Sequence, residues 1–88
     1  MKIKEGYVLR MVAGSYVALP GGGKPADFNG MVTLNDTGAF LWRHLEQGCS
    51  REQLVEAVME EYDVTQERAL SGIERFLEEL RTENLVEE

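Results

Sequence analysis

The sequence predicts an α+β domain in which a three-stranded antiparallel sheet is followed by three helices. Two observations carry this. Before residue 35, β-branched and aromatic residues gather in short runs separated by glycine and proline. From residue 35 onward, apolar residues recur at helical spacing between capping residues.

The strands come first. Tyr7-Val8-Leu9-Arg10-Met11-Val12 and Ser15-Tyr16-Val17-Ala18-Leu19 read as a pair, and the two residues between them, Ala13-Gly14, suit a tight hairpin turn. Pro20 to Asp27 is a loop, because its glycines and prolines oppose regular structure. Asn29-Gly30 favours a turn before a third short run, Met31-Val32-Thr33-Leu34.

The helices follow. Asn35 is a good N-cap with Asp36 in the first turn, and Gly38, Leu41, Trp42 and Leu45 follow at helical spacing up to a stop at Gly48. Ser50 and Gln53 form an S-x-x-Q capping box for a second helix with an apolar stripe of Leu54, Val55, Val58 and Met59. Asp63-Val64 breaks the pattern. Thr65 caps a long third helix whose stripe is Ala69, Ile73, Phe76, Leu77 and Leu80. Leu85-Val86 is an apolar tail expected to pack back on the sheet. The short turn between helices two and three is that of a helix-turn-helix, so the whole reads as a winged helix-turn-helix.

Bulk properties narrow the function. The 88 residues suit one domain spanning 1–88 with one modest core. No apolar run approaches the roughly 20 residues of a membrane span. The N-terminal lysines have no apolar stretch behind them, so no signal peptide is expected and the cytoplasm is the expected compartment. A single cysteine, Cys49, excludes an internal disulfide, and with one histidine, His44, it cannot form a structural zinc site. No metal or cofactor is expected. Of the net charge of −7, residues 1–45 contribute +2 and residues 46–88 contribute −9.

Catalytic readings fail on chemistry. Gly21-Gly22-Gly23-Lys24 has the look of a phosphate loop, but Pro25 stands where Ser or Thr would hold magnesium, and an extended segment follows where a helix is needed. A catalytic His44 would need an orienting carboxylate and a nucleophile; Glu46 and Cys49 are near in sequence, but so local a Cys and His do not form a triad, and His44 suits a helix C-terminus. Cys49 is either activated by the following helix or a passive loop thiol. The carboxylates Glu60, Glu61, Asp63, Glu74, Glu78, Glu79 and Glu83 fall on solvated helix faces. No catalytic residue is therefore assigned, and the chain is not expected to be an enzyme. A nucleic-acid-binding regulator is the alternative that the helix-turn-helix invites. The third helix, however, sets Glu67, Glu74, Glu78, Glu79 and Glu83 against Arg68, Arg75 and Arg81, which is not a phosphate-binding face.

Two features remain. A three-stranded sheet has two edges, and Met31 to Leu34 carries no lysine or proline to block pairing. Either a peptide adds there, or a loop or dimer partner covers it. On the third helix, Gly72 lies on the flank of the core stripe, with Arg68, Ser71 and Arg75 beyond it. Mid-helix glycine costs about 1 kcal/mol relative to alanine, which reflects either close approach of another chain or drift at an exposed site.

The string Leu34-Asn35-Asp36-Thr37-Gly38-Ala39-Phe40-Leu41-Trp42, with Leu45 and Gly48, resembles the central motif of the PqqD-like family, the relatives of pyrroloquinoline-quinone synthesis protein D. Ser50 to Val55, Glu61 to Val64, Phe76 to Leu80 and Leu85-Val86 extend the resemblance over roughly residues 6 to 87. It implies a recognition element for ribosomally synthesised, post-translationally modified peptides. Such a domain is a winged helix-turn-helix that binds a precursor's leader peptide as an added strand and presents the core to a modifying enzyme, often a radical S-adenosylmethionine enzyme. Carried onto this chain, the resemblance implies peptide binding by Met31, Val32, Thr33 and Leu34 on the strand. The facing helix would contribute Arg68, Ser71, Gly72 and Arg75. A homodimer remains open; nucleic acid and membrane are not expected partners.

Overall fold

The computed structural model describes residues 1–20 and 32–87. The Gly21-Gly22-Gly23-Lys24 loop, the Asn29-Gly30 turn and Met31 lie outside the described residues. The elements run β1 (Lys2–Ile3), β2 (Tyr7–Val12), β3 (Ser15–Pro20), β4 (Val32–Leu34), α1 (Asp36–Gln47), α2 (Arg51–Tyr62), α3 (Gln66–Thr82) and β5 (Val86–Glu87). The order β2-β3-β4 forms the three-stranded antiparallel sheet that the sequence predicts, and three helices follow it.

The β2–β3 hairpin pairs Val12 with Ser15, leaving Ala13 and Gly14 as a two-residue turn. Their φ angles are 51° and 83°. Two positive φ values in succession match the right-handed twist of the strands, which is why such turns favour Asn-Gly. Ala13 has a β-carbon and no compensating side-chain hydrogen bond, so it sits there at a cost.

Each helix begins where the sequence places a cap. Asn35 Oδ1 accepts from Gly38 N at 2.8 Å, and Thr65 Oγ1 accepts from Arg68 N at 3.3 Å. Ser50 and Gln53 complete the reciprocal capping box, at 3.1 and 2.9 Å. Asp63 ends α2 in the left-handed conformation, φ 50°, and turns the chain into α3 within three residues. This tight α2–α3 pair, with the β2–β3 hairpin as the wing, gives the winged helix-turn-helix.

α3 closes with a Schellman motif. Asn84 is left-handed at φ 59°, Asn84 N donates to Arg81 O at 3.0 Å, and Leu85 N donates to Leu80 O at 2.8 Å. The motif reverses the chain so that Leu85 drops beside Leu80, both fully buried. The tail therefore does not pack on the three-stranded sheet as expected. It continues into β5, which pairs with β1 in a separate two-stranded sheet, Ile3 opposite Val86. β1 escapes sequence reading because its two residues are too few to show alternation.

The core is one cluster in which Trp42, Leu41, Leu45, Leu54, Ile73, Leu77, Leu80 and Leu85 are the largest fully buried side chains. All five residues of the α3 stripe are buried. Met59 corrects the α2 stripe: it is 38% exposed and lines a surface cleft with Val55 and Leu70. The second helix buries only Leu54, Val55 and Val58.

Two stability changes follow. Ala13→Asn should relieve the turn and raise stability by about 0.5–1 kcal/mol, seen as a melting temperature higher by several degrees. Leu85→Ala opens a cavity under the Schellman turn and should cost about 2–5 kcal/mol by denaturant titration. An unchanged midpoint would mean that β5 is not fastened to the core.

Candidate functional site

β4 is a sheet edge. It pairs with β3 through Ala18 opposite Val32, Val17 opposite Thr33 and Tyr16 opposite Leu34, and no strand lies on its other side among the described residues. Among the described residues nothing pairs with its outer N–H and C=O groups, which suits them to a further strand. Alternation along β4 buries Leu34, half-buries Val32 and exposes Thr33.

α3 faces this edge across a central cavity that overlaps two more, one continuing between α3 and Val32 and one running on past the end of β4 between α3, α1 and α2. The central one, 690 Å³, is lined by Thr33, Leu34 and Asn35 on one side and Gly72, Arg75, Phe76 and Glu79 on the other, with Thr37, Gly38 and Leu41 beneath. Toward the start of α3 it shares Thr37, Leu41 and Gly72 with a 340 Å³ cavity that adds Val58, Tyr62, Arg68 and Ile73. Toward the end of α3 it shares Arg75 and Glu79 with a 320 Å³ cavity that adds Val32, Glu78, Thr82 and Glu83. From Arg68 to Glu83 the helix rises about 22 Å, the length of a six- or seven-residue strand.

Two glycines shape the groove in opposite ways. A β-carbon on Gly38 would stand 3.2 Å from Asn35 Oδ1, 3.3 Å from Leu34 Cβ and 3.4 Å from Phe76 Cε1. Glycine at this position lets the first turn of α1 sit against Phe76. A β-carbon on Gly72 would meet nothing within 4 Å. Gly72 is bare backbone on the groove wall, where the two larger cavities meet.

The expected site residues distribute unequally. Thr33, Leu34, Gly72 and Arg75 come together around the central cavity, Arg68 lines the cavity at the α3 N-terminus, and Val32 lines the one at the C-terminus. Met31 lies outside the described residues. Ser71 is exposed but lines none of the three cavities. Neither Arg68 nor Arg75 makes an ion pair among the described residues, while Arg81 lies 3.7 Å from Glu78 and Arg51 pairs with Glu74 at 2.8 Å.

Thr37, Gly38, Leu41, Phe76 and Glu79 also line the groove and were not singled out as site residues. Leu41 and Phe76 read as core in the periodicity, and they are, but each also shows an edge to the groove. The signal for Thr37 and Gly38 was the motif string itself.

The remaining reactive side chains lie elsewhere. Burial pushes the Cys49 thiol above its ordinary value, and the amino-terminal ammonium only partly offsets this, which disfavours the thiolate. His44 is exposed, with its ring 4.6 Å from that of Phe40, which in turn meets Tyr62 edge-on at 5.4 Å. Among the described residues no group of three or more His, Cys, Asp or Glu is placed to hold a metal ion. No helix is long and apolar enough to cross a membrane.

Comparison with known proteins places this arrangement. No curated protein matches the chain in sequence. Among solved structures, the chain is similar to TbiB1 in complex with the TbiA(beta) leader peptide, at 26% identity and a TM-score of 0.79. The match covers 99% of this chain and 95% of that one. The family model for coenzyme PQQ synthesis protein D matches residues 7–86. That span takes in the hairpin, the edge strand and all three helices, and the chain belongs to the PqqD family.

Proposed function

We propose that this chain is a peptide chaperone. It takes the leader of a ribosomally synthesised precursor as a strand beside β4 and presents the attached core peptide to a modifying enzyme. In this family that enzyme is often a radical S-adenosylmethionine enzyme. The chain acts as a non-catalytic partner in the cytoplasm. The observation that carries this is the open edge of β4 facing α3 across one continuous groove. TbiB1, a fold relative holding a leader peptide, supports it.

The mechanism follows from the geometry. Main-chain hydrogen bonds to the outer edge of β4 give affinity that tolerates sequence changes in the leader. In an added strand, alternate side chains point into the groove, where Tyr62, Val64 and the edge of Phe76 offer apolar surface and Arg68 and Arg75 offer charge-assisted bonds. Gly72 leaves room for the peptide to approach the helix backbone. Holding the leader raises the effective concentration of the core at the enzyme. Two copies pairing edge to edge through β4 would compete with the leader for the same hydrogen bonds. The nucleic-acid alternative is not favoured, since the exposed carboxylates of α3 oppose a phosphate backbone.

Titrating the leader of a candidate precursor peptide into isotope-labelled protein should shift the amides of Val32–Leu34 and of Gly72–Glu79. Shifts confined to the outer face of α2 would remove the groove as the site. Gly72→Leu separates binding from folding. The substitution should stabilise α3 by up to about 1 kcal/mol while filling the groove wall, so leader affinity should fall about tenfold or more as the melting temperature rises. Full affinity in this variant would show that the leader does not pass Gly72.

A further inference from the structure

Charge is distributed along the groove in order. In the cavity at the start of α3, Arg68 is the single charged lining residue. In the central cavity Arg75 and Glu79 balance. In the cavity at the end of α3, Arg75 stands against Glu78, Glu79 and Glu83. The described residues of the opposite wall, Val32, Thr33, Leu34, Asn35 and Thr37, are uncharged, so among the described residues the gradient comes from α3 and its C-cap Glu83. The α3 macrodipole has the same sense, positive at its N-terminus and negative at its C-terminus. Helices more often place acidic side chains at the start and basic ones at the end, which cancels the dipole. On this groove face the side chains add to it.

We infer that the groove selects leaders by the order of their charges, with acidic side chains entering first and basic side chains last. This rests on the groove being the leader site. The lining residues fix the direction. Val32, at the start of β4, lies by Glu78 and Glu83, while Thr37, just beyond the end of β4, lies by Arg68. A strand antiparallel to β4, the slightly more stable pairing, therefore runs from the Arg68 end to the Glu83 end. Its N-terminal residues meet Arg68, its middle meets Arg75 and Glu79, and its C-terminal residues meet the excess of carboxylates from Glu78, Glu79 and Glu83. Main-chain pairing alone accepts many sequences, and the gradient supplies a selection that it lacks, at the cost of sensitivity to salt.

The test uses two synthetic nine-residue peptides of identical composition, capped at both ends. Each has an uncharged β-branched centre. One has two aspartates at its N-terminus and two lysines at its C-terminus, and the other has the reverse order. Binding is followed by amide shifts at low salt. The acid-first peptide should bind about tenfold more tightly, with shifts at Val32–Leu34, and the preference should shrink as salt is added. The variant Arg68→Glu, Arg75→Glu, Glu79→Lys, Glu83→Lys should invert the preference. Equal binding of the two peptides to the native protein, with shifts at β4, would overturn the charge order and leave the groove reading intact. Binding of neither peptide, or shifts only away from β4, would overturn both.

Discussion

The junction from Leu34 to Gly38 is the constraint on which the rest depends. Within five residues the chain ends a strand, caps a helix and meets a second helix. Leu34 is buried under the sheet, Asn35 caps α1 by accepting from Gly38 N, and Gly38 admits the ring of Phe76. No residue separates the end of β4 from the cap, so the strand cannot shift without moving α1. Contact between Gly38 and Phe76 then fixes α3 relative to that strand. The width of the groove is thus set by packing at its middle, while its open length is left to the exposed parts of β4 and α3.

This arrangement puts a familiar supersecondary unit to a different use. A helix-turn-helix that reads nucleic acid presents its last helix outward, with cationic side chains leading. Here the last helix is turned by its apolar stripe into the core, and the flank of that stripe faces a sheet edge. In the proposed complex the edge would supply hydrogen bonds that do not depend on sequence, and the helix shape and charge that do. Affinity and selection would then belong to different elements, each open to change without refolding the other.

Most of the fold was legible in the sequence because its signals are local. The caps Asn35, Ser50 and Thr65, the stop at Gly48 and the 3.6-residue stripe of α3 each depend on residues within a turn or two. Met59 misled because periodicity locates a face but not its limit, and α2 sits at the edge of the core, not within it. The β1–β5 pair was invisible because it joins residues from opposite ends of the chain, and neither partner is long enough to alternate. The site was partly legible for the same reason. An unprotected strand and an odd glycine, Gly72, mark two walls of the groove, whereas Thr37 and Phe76 join it only through the packing of α1 on α3. Helical phase alone gave Ser71 the same standing as Arg75, and only the position of β4 distinguishes them.

The pairing of Lys2 with Glu87 places the first and last described strands side by side. None of their residues lines the groove. A unit whose entry and exit adjoin, on a seam away from its working surface, is easily grafted. It tolerates covalent joining to another polypeptide at either side, insertion into a surface loop of a larger host, or circular permutation, with little disturbance to the edge strand. The seam thus makes this domain portable, because a covalent attachment on that side leaves β4 and the facing side of α3 untouched.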